Sequence, residues 1–206
     1  MIDIKKIKQE YKEKVHHISH ADYEKGKVVL AGDCVFDLLD IDKFFKGETV
    51  YNNGICGDTS SLLLETLYKR VIKYKPNKLF LSVGSNDMGF DGKNVKEIYN
   101  NIIDIVKEIK RRSSDTKIYL MTVLPVNPAQ KDSINRDYVD TRDNFDINML
   151  NYYIKNYARK NRIKFIDIHK HLKNDIDQLN LNYSIDGFHL NENGYEIVTK
   201  LILEQL

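Results

Sequence analysis

Five short apolar runs, separated by stretches of helical periodicity, constrain this chain more than any other feature. The runs are Lys27 to Ala31, Glu48 to Tyr51, Lys78 to Val83, Lys117 to Val123 and Lys164 to Ile168. Chain-breaking residues close the first four: Gly32, Asn53-Gly54, Gly84 and Pro125. Around them, apolar residues recur every three or four positions. Ile4, Ile7, Tyr11, Val15 and Ile18 predict an amphipathic helix over 3–18. Leu62, Leu63, Leu67 and Val71 predict a second, with Thr59 or Ser60 as its N-cap. Val95, Ile98, Ile102, Val106 and Ile109 form a third stripe, and Ile147, Leu150, Ile154 and Tyr157 a fourth. A last helix is expected over 193–203. Strands alternating with helices of this length predict βαβ units: an α/β fold with one parallel sheet and helices on both faces, joined by right-handed crossovers. A chain of 206 residues suits one domain over 1–206, with segment 1–26 supplying an N-terminal helix packed on it. The polar stretch 126–143 reads either as a binding loop or lid, or as a mobile connection.

In an open parallel sheet, ligands bind beyond the carboxyl ends of the strands. The chemically useful residues of this chain lie just there. Gly32-Asp33-Cys34 follows the first strand and Asn53-Gly54-Ile55-Cys56-Gly57-Asp58 the second. Gly84-Ser85-Asn86-Asp87 follows the third, and Asp186-Gly187-Phe188-His189 lies beyond the fifth. Together they hold the parts of an acyl-transfer site. Cys34 is the candidate nucleophile, placed at a strand-to-helix turn whose N–H groups favour a thiolate. His189 is the candidate base, and Asp186 can orient its ring. The backbone N–H groups of Cys34 and Gly57 and the amide of Asn86 are candidate oxyanion donors. Singly, each has an ordinary reading: a buried cysteine is usually core, and Gly-Asn-Asp turns shape loops. In this order, at strand ends, coincidence is a poor account of them.

The four blocks resemble the SGNH (GDSL) hydrolase superfamily over roughly residue 27 to the C-terminus, its small acetylhydrolase- and arylesterase-like members in particular. The Gly-Asp-Ser block of that superfamily stands here as Gly32-Asp33-Cys34, its oxyanion glycine as Gly57, its Gly-x-Asn-Asp block as Gly84 to Asp87, and its Asp-x-x-His block as Asp186 to His189. The resemblance implies a flavodoxin-like three-layer sandwich with strand order 2-1-3-4-5. It also implies hydrolysis of acyl esters by a catalytic triad and oxyanion hole, with neither metal nor organic cofactor. The departure is cysteine in place of the nucleophilic serine. Cys34 can be an engineered replacement, a natural nucleophile suited to thioesters or transacylation, or a remnant in a pocket that only binds.

Charge and hydropathy narrow the remaining classes. With 32 basic and 30 acidic residues and no long block of one sign, nothing favours nucleic acid or an anionic membrane as partner. Polar residues interrupt every apolar run, and the first residues lack the apolar core of a signal peptide, so a cytoplasmic protein is expected. The expected ligand is a small acyl ester or thioester. Cys56 is placed to approach Cys34, either as a redox partner or as a small residue in a tight turn. His16, His17 and His20 read as a solvated helix end rather than a metal site, and His169 and His171 as surface residues. Tyr138, Phe145, Tyr152 and Tyr153 flank the long loop, either lining a cleft or packing the loop.

Overall fold

The computed structural model describes residues 4–206, with nothing stated of the Ile4 side chain. Residue 3, where the first helix is expected to begin, lies outside that range. In chain order the elements are α1 (Ile4–His20), β1 (Val28–Gly32), α2 (Cys34–Asp37), α3 (Ile41–Phe44), β2 (Val50–Gly54) and α4 (Ser60–Arg70). They continue as β3 (Lys78–Ser82), α5 (Ser85–Phe90), α6 (Val95–Arg112), β4 (Lys117–Met121), α7 (Arg136–Val139) and α8 (Asn144–Lys160). The chain ends with β5 (Lys164–Ile166), α9 (His169–Leu172) and α10 (Glu192–Leu203). All five strands are parallel, in the order β2-β1-β3-β4-β5.

Alternating strand residues feed two cores, as a sheet covered on both faces requires. Val29, Ala31, Leu79, Leu81, Ile118 and Leu120 pack with α1, α4, α6 and α8. Val28, Leu30, Phe80, Tyr119, Met121 and Ile166 pack on the opposite face with α2, α9 and α10. Helix α1 contributes Tyr11, Val15 and Ile18 of the predicted stripe to the first core, with Ile7 partly buried. Thr59 caps α4 by accepting a hydrogen bond from the Leu62 N–H, and Asn94 with Glu97 forms a capping box on α6.

The sequence-based boundaries need one correction of substance. The second strand runs to Gly54 rather than stopping at Tyr51, and includes Asn52 and Asn53. Both amides find partners that no local pattern reveals. Asn52 donates to the carbonyl of Phe36 at 2.6 Å, and buried Asn53 to that of Arg70 at 2.6 Å. Buried amides are tolerated in a strand when they are hydrogen-bonded in this way.

The chain departs from β1 to β2 on one side and returns to β3 on the other, so the carboxyl ends of β1 and β3 form the topological switch point. There the strands approach unusually closely. Gly32 has φ +141°, and a Cβ built on it would lie 1.7 Å from the Ser82 carbonyl oxygen. The next residue's N–H, on Asp33, donates to that same oxygen at 3.1 Å.

Candidate active site

Cys34 begins α2 directly beyond β1, with Asp33 as N-cap accepting from the Val35 N–H at 3.2 Å. Helix α2 spans only four residues, so the helix-terminus contribution expected from sequence is small. Other groups stabilise the thiolate. The parallel register pairs Gly32 with Gly54, and the two cysteines follow two residues later, just beyond the ends of these adjacent strands. Cys56 is the largest influence lowering the Cys34 pKa; burial opposes it, and His189 and the Gly57 N–H add to it. The net direction is well below the ordinary thiol value, whereas Cys56 is held protonated by the same contact and by burial. Both thiols are free. Cys56 is positioned in turn by its N–H, which donates to Asp37 at 2.7 Å; Asp37 is also ion-paired with Lys14 of α1.

Asp186 and His189 form the tightest pair of the site. His189 Nδ1 lies 2.7 Å from Asp186 Oδ2, and the backbone N–H groups of His189 and Phe188 donate to Asp186 Oδ1 at 2.7 and 3.0 Å. One carboxylate thereby closes its own turn and orients the ring, leaving Nε2 free, and His189 lines the same cavity as Cys34. Burial pushes the His189 pKa down, but Asp186 and Cys34 outweigh it and raise it to about 9. For Asp186, hydrogen bonds from His189 and Phe188 outweigh burial and hold its pKa below the usual value. At neutral pH these shifts favour an imidazolium beside a thiolate.

Gly57 sits at φ +79°, a conformation glycine adopts without strain, with Ile7 of α1 packed over it. Asn86 is fully buried; its Nδ2 donates to the Asp58 carbonyl at 3.1 Å and its Oδ1 accepts from Arg142 at 2.9 Å. Behind the second block, buried Arg70 pairs with Asp58 at 2.7 Å and donates to the Gly32 and Asn53 carbonyls, tying together the ends of β1 and β2. A cavity of about 20 Å³ opens at Cys34, lined by Asp33, Ser82, Ser85, Val123, Leu124, Phe188 and His189 among others.

Residues 126–143 are tied down at this site. Asn127 and Asn135 donate backbone bonds to the carbonyls of Gly187 and Asp186, both at 2.9 Å. Tyr138 stacks on Phe188 at 5.3 Å and meets the His189 ring edge-on at 4.8 Å. Of the other aromatics flanking this segment, Phe145, Tyr152 and Tyr153 are exposed. His169 is buried, not superficial: its ring contacts the Val123 carbonyl and Asn151. His16 and His20 stack on each other at the exposed end of α1. No cluster of three or more metal-capable side chains occurs among the described residues, and no described helix is long and apolar enough to cross a membrane. The residues that sequence reasoning missed are Arg142 and Arg70, since a charged residue in a polar loop or on a helix carries no local sign of burial.

Residues 38–197 match the model of the GDSL-like lipase/acylhydrolase family. The chain belongs to that family. The matched span opens after Cys34, so membership does not rest on the Gly32-Asp33-Cys34 block. Among GDSL-like structures, a GDSL-like lipase from Bacteroides thetaiotaomicron VPI-5482 superposes with a TM-score of 0.81 at 24% identity, covering 95% of this chain and 96% of that one. A Streptococcus pneumonia protein named for platelet activating factor reaches a TM-score of 0.84 at 27% identity, over 98% and 93% of the two chains. The N-acylneuraminate cytidylyltransferase of Escherichia coli O18:K1:H7 is 32% identical over 178 residues, which are 86% of this chain and 39% of that protein. This GDSL-like chain thus spans well under half the length of the curated relative.

Proposed function

We propose that this GDSL-like domain hydrolyses a short acyl ester or thioester, with Cys34 as nucleophile. The observation that carries the reading is the convergence of Cys34, His189 and Asp186, with the Asp186–His189 contact at 2.7 Å. The Cys34 thiolate attacks the acyl carbon and the carbonyl π pair moves to oxygen. The N–H groups of Cys34 and Gly57 and the Asn86 amide receive that oxyanion. As the tetrahedral species collapses, His189 Nε2–H protonates the departing alkoxide or thiolate. Water then attacks the acyl-cysteine and gives its proton to the neutral imidazole. Carboxylic acid leaves, and the thiolate–imidazolium pair is restored.

Two features support a short acyl group. The cavity at Cys34 is about 20 Å³, the space of roughly one water, and the apolar Val123 and Leu124 are among the residues that line it. The acceptor side is suggested by the curated relative: a segment like this chain forms part of a protein named for N-acylneuraminate, a sugar acid. O-acetylated sugar acids therefore head the substrate panel, beside p-nitrophenyl acetate and an acetyl thioester.

Incubation with these donors is expected to give turnover and an acetyl adduct on Cys34 by intact mass. Cys34→Ser is expected to lose about tenfold or more on the thioester, roughly 1.4 kcal/mol of barrier, because the Cys56 contact favours a sulfur anion. If neither protein turns over or traps any donor, the site is a binding pocket and the hydrolase reading falls.

The ionisation state gives a second test. Reaction needs deprotonated Cys34 and protonated His189. The kcat/KM profile is therefore expected to rise at a pH below the ordinary thiol pKa, stay flat through neutrality, and fall with a limb near 9 as His189 loses its proton. In Cys34→Ser the thiolate is gone and neutral imidazole must act as base, so the alkaline fall should be replaced by a rise. An alkaline limb unchanged by Cys34→Ser would contradict the ion-pair assignment.

A further inference from the structure

We infer that Arg142 is a positioning residue for acyl transfer: its guanidinium fixes the orientation of the Asn86 amide and strengthens it as an oxyanion donor. This rests on the acyl-transfer reading of the site, and adds to it a residue outside the four blocks.

A carboxamide presents an acceptor at one end and donors at the other, and the two ends have nearly the same shape. A buried asparagine can serve an oxyanion only if something fixes which end faces it. Asn86 is fixed from two sides. Arg142 has donors only, so the amide end facing it at 2.9 Å must be Oδ1. The Asp58 carbonyl is an acceptor only, so the end facing it at 3.1 Å must be Nδ2. A flip would set two donors against each other on one side and two acceptors on the other. One Nδ2 hydrogen is used on Asp58, and in this proposal the second goes to the substrate oxygen. A cationic donor on Oδ1 also polarises the amide, making the remaining N–H a stronger donor.

Arg142 is seated for this task. It is 6% exposed, and the five hydrogen bonds it donates among the described residues all end on neutral oxygens. Two of these go to the Ser85 carbonyl and hydroxyl, at 3.1 Å each, next to the amide it orients. Its guanidinium lies 4.2 Å from the Phe188 ring centroid. The space for it is made by Gly89 within α5: a Cβ there would lie 2.4 Å from the guanidinium carbon. Glycine inside a helix costs about 1 kcal/mol relative to alanine, and here it admits the arginine. Arg142 thereby links the 126–143 segment, which also holds Asp186, to the block containing Asn86.

The test is a double-mutant cycle on p-nitrophenyl acetate. Asn86→Ala is expected to lower kcat about 10²- to 10³-fold, as for loss of one oxyanion donor. Arg142→Met is expected to lower kcat by about 10- to 100-fold with KM changed less than about threefold, since the interaction matures in the transition state. The double variant should fall within about threefold of Asn86→Ala alone, because Arg142 acts through that amide. Arg142→Lys, which keeps the charge but not the planar fork, should recover part of the loss. A merely structural role would lower kcat further in the Asn86→Ala background. Losses that multiply, or an Arg142→Met kcat within about twofold of wild type, overturn the inference. Should Arg142→Met fail to fold, Gly89→Ala displaces the guanidinium sterically and replaces it in the same cycle. Wild-type protein silent on every acyl donor would instead overturn the hydrolase reading on which this rests.

Discussion

Replacing His189 by alanine is expected to abolish acylation of Cys34, lowering kcat/KM by about 10³- to 10⁴-fold or more while the fold survives. The size follows from how much one ring does. In the proposed mechanism its Nε2 side holds the cation that stabilises the Cys34 thiolate, and the same proton is the one due to the leaving group. Its Nδ1 side is anchored on Asp186 at 2.7 Å. Without the ring, Cys34 loses a partner that lowers its pKa, and the tetrahedral species must expel an unprotonated leaving group. The ring is only partly buried, so the folding cost should be about 1–2 kcal/mol. Asp186→Asn is expected to lose less than His189→Ala: the amide oxygen can keep the two backbone bonds of the turn, while orientation and charge at Nδ1 are lost. Pre-steady-state acylation followed by intact mass, with a thermal melt of each variant, separates chemistry from folding. Acylation of His189→Ala at the wild-type rate would remove the residue from the mechanism.

Gly32→Ala is expected to have the largest effect on stability. A methyl group there meets the Ser82 carbonyl oxygen at 1.7 Å and its carbon at 2.7 Å, both backbone atoms of the neighbouring strand. No rotamer relieves such a clash; β1 and β3 must separate, and the Asp33–Ser82 hydrogen bond with them. A domain is stable by only about 5–15 kcal/mol, and a forced shift between central strands should remove about 4 kcal/mol or more. Gly47→Ala is the matched control. It also has positive φ, +85°, but nothing lies within 4 Å of its added methyl, so it should cost only the conformational penalty, about 1 kcal/mol. Comparing soluble yield and Tm isolates the steric term. A Gly32→Ala melt within a few degrees of Gly47→Ala would mean that the strand ends yield more easily than their packing implies.

These two residues mark the division between what is readable along the chain and what is not. Apolar periodicity reports local conformation and facing, which is why the alternating strands and helices, the parallel sheet and the cap at Thr59 follow the sequence closely, while the strand order was legible only through the family resemblance. Cys34, Gly57, Asn86, Asp186 and His189 stand out because strand ends in such a sheet converge on one edge, so position along the chain implies position in space. The far end of β2 escaped, because Asn52 and Asn53 look like turn residues until the carbonyls of Phe36 and Arg70 are brought to them.

Tertiary structure alone decided the state and setting of those groups. The lowered pKa of Cys34 comes from Cys56 and His189 more than from the single turn of α2; Cys56 comes from beyond the end of the neighbouring strand and His189 from 155 residues further along the chain (189 − 34). Segment 126–143 is polar and aperiodic, so no rule of spacing distinguishes a free loop from one bonded to Gly187, Asp186 and Asn86. Burial, ionisation and amide orientation depend on which distant dipoles and charges are nearest, and a linear pattern records only neighbours along the chain. The sequence by itself determined the framework and which residues reach its edge; only the closed fold, by removing water and setting Arg142, Cys56 and Tyr138 around that edge, determined how those residues are charged and aimed.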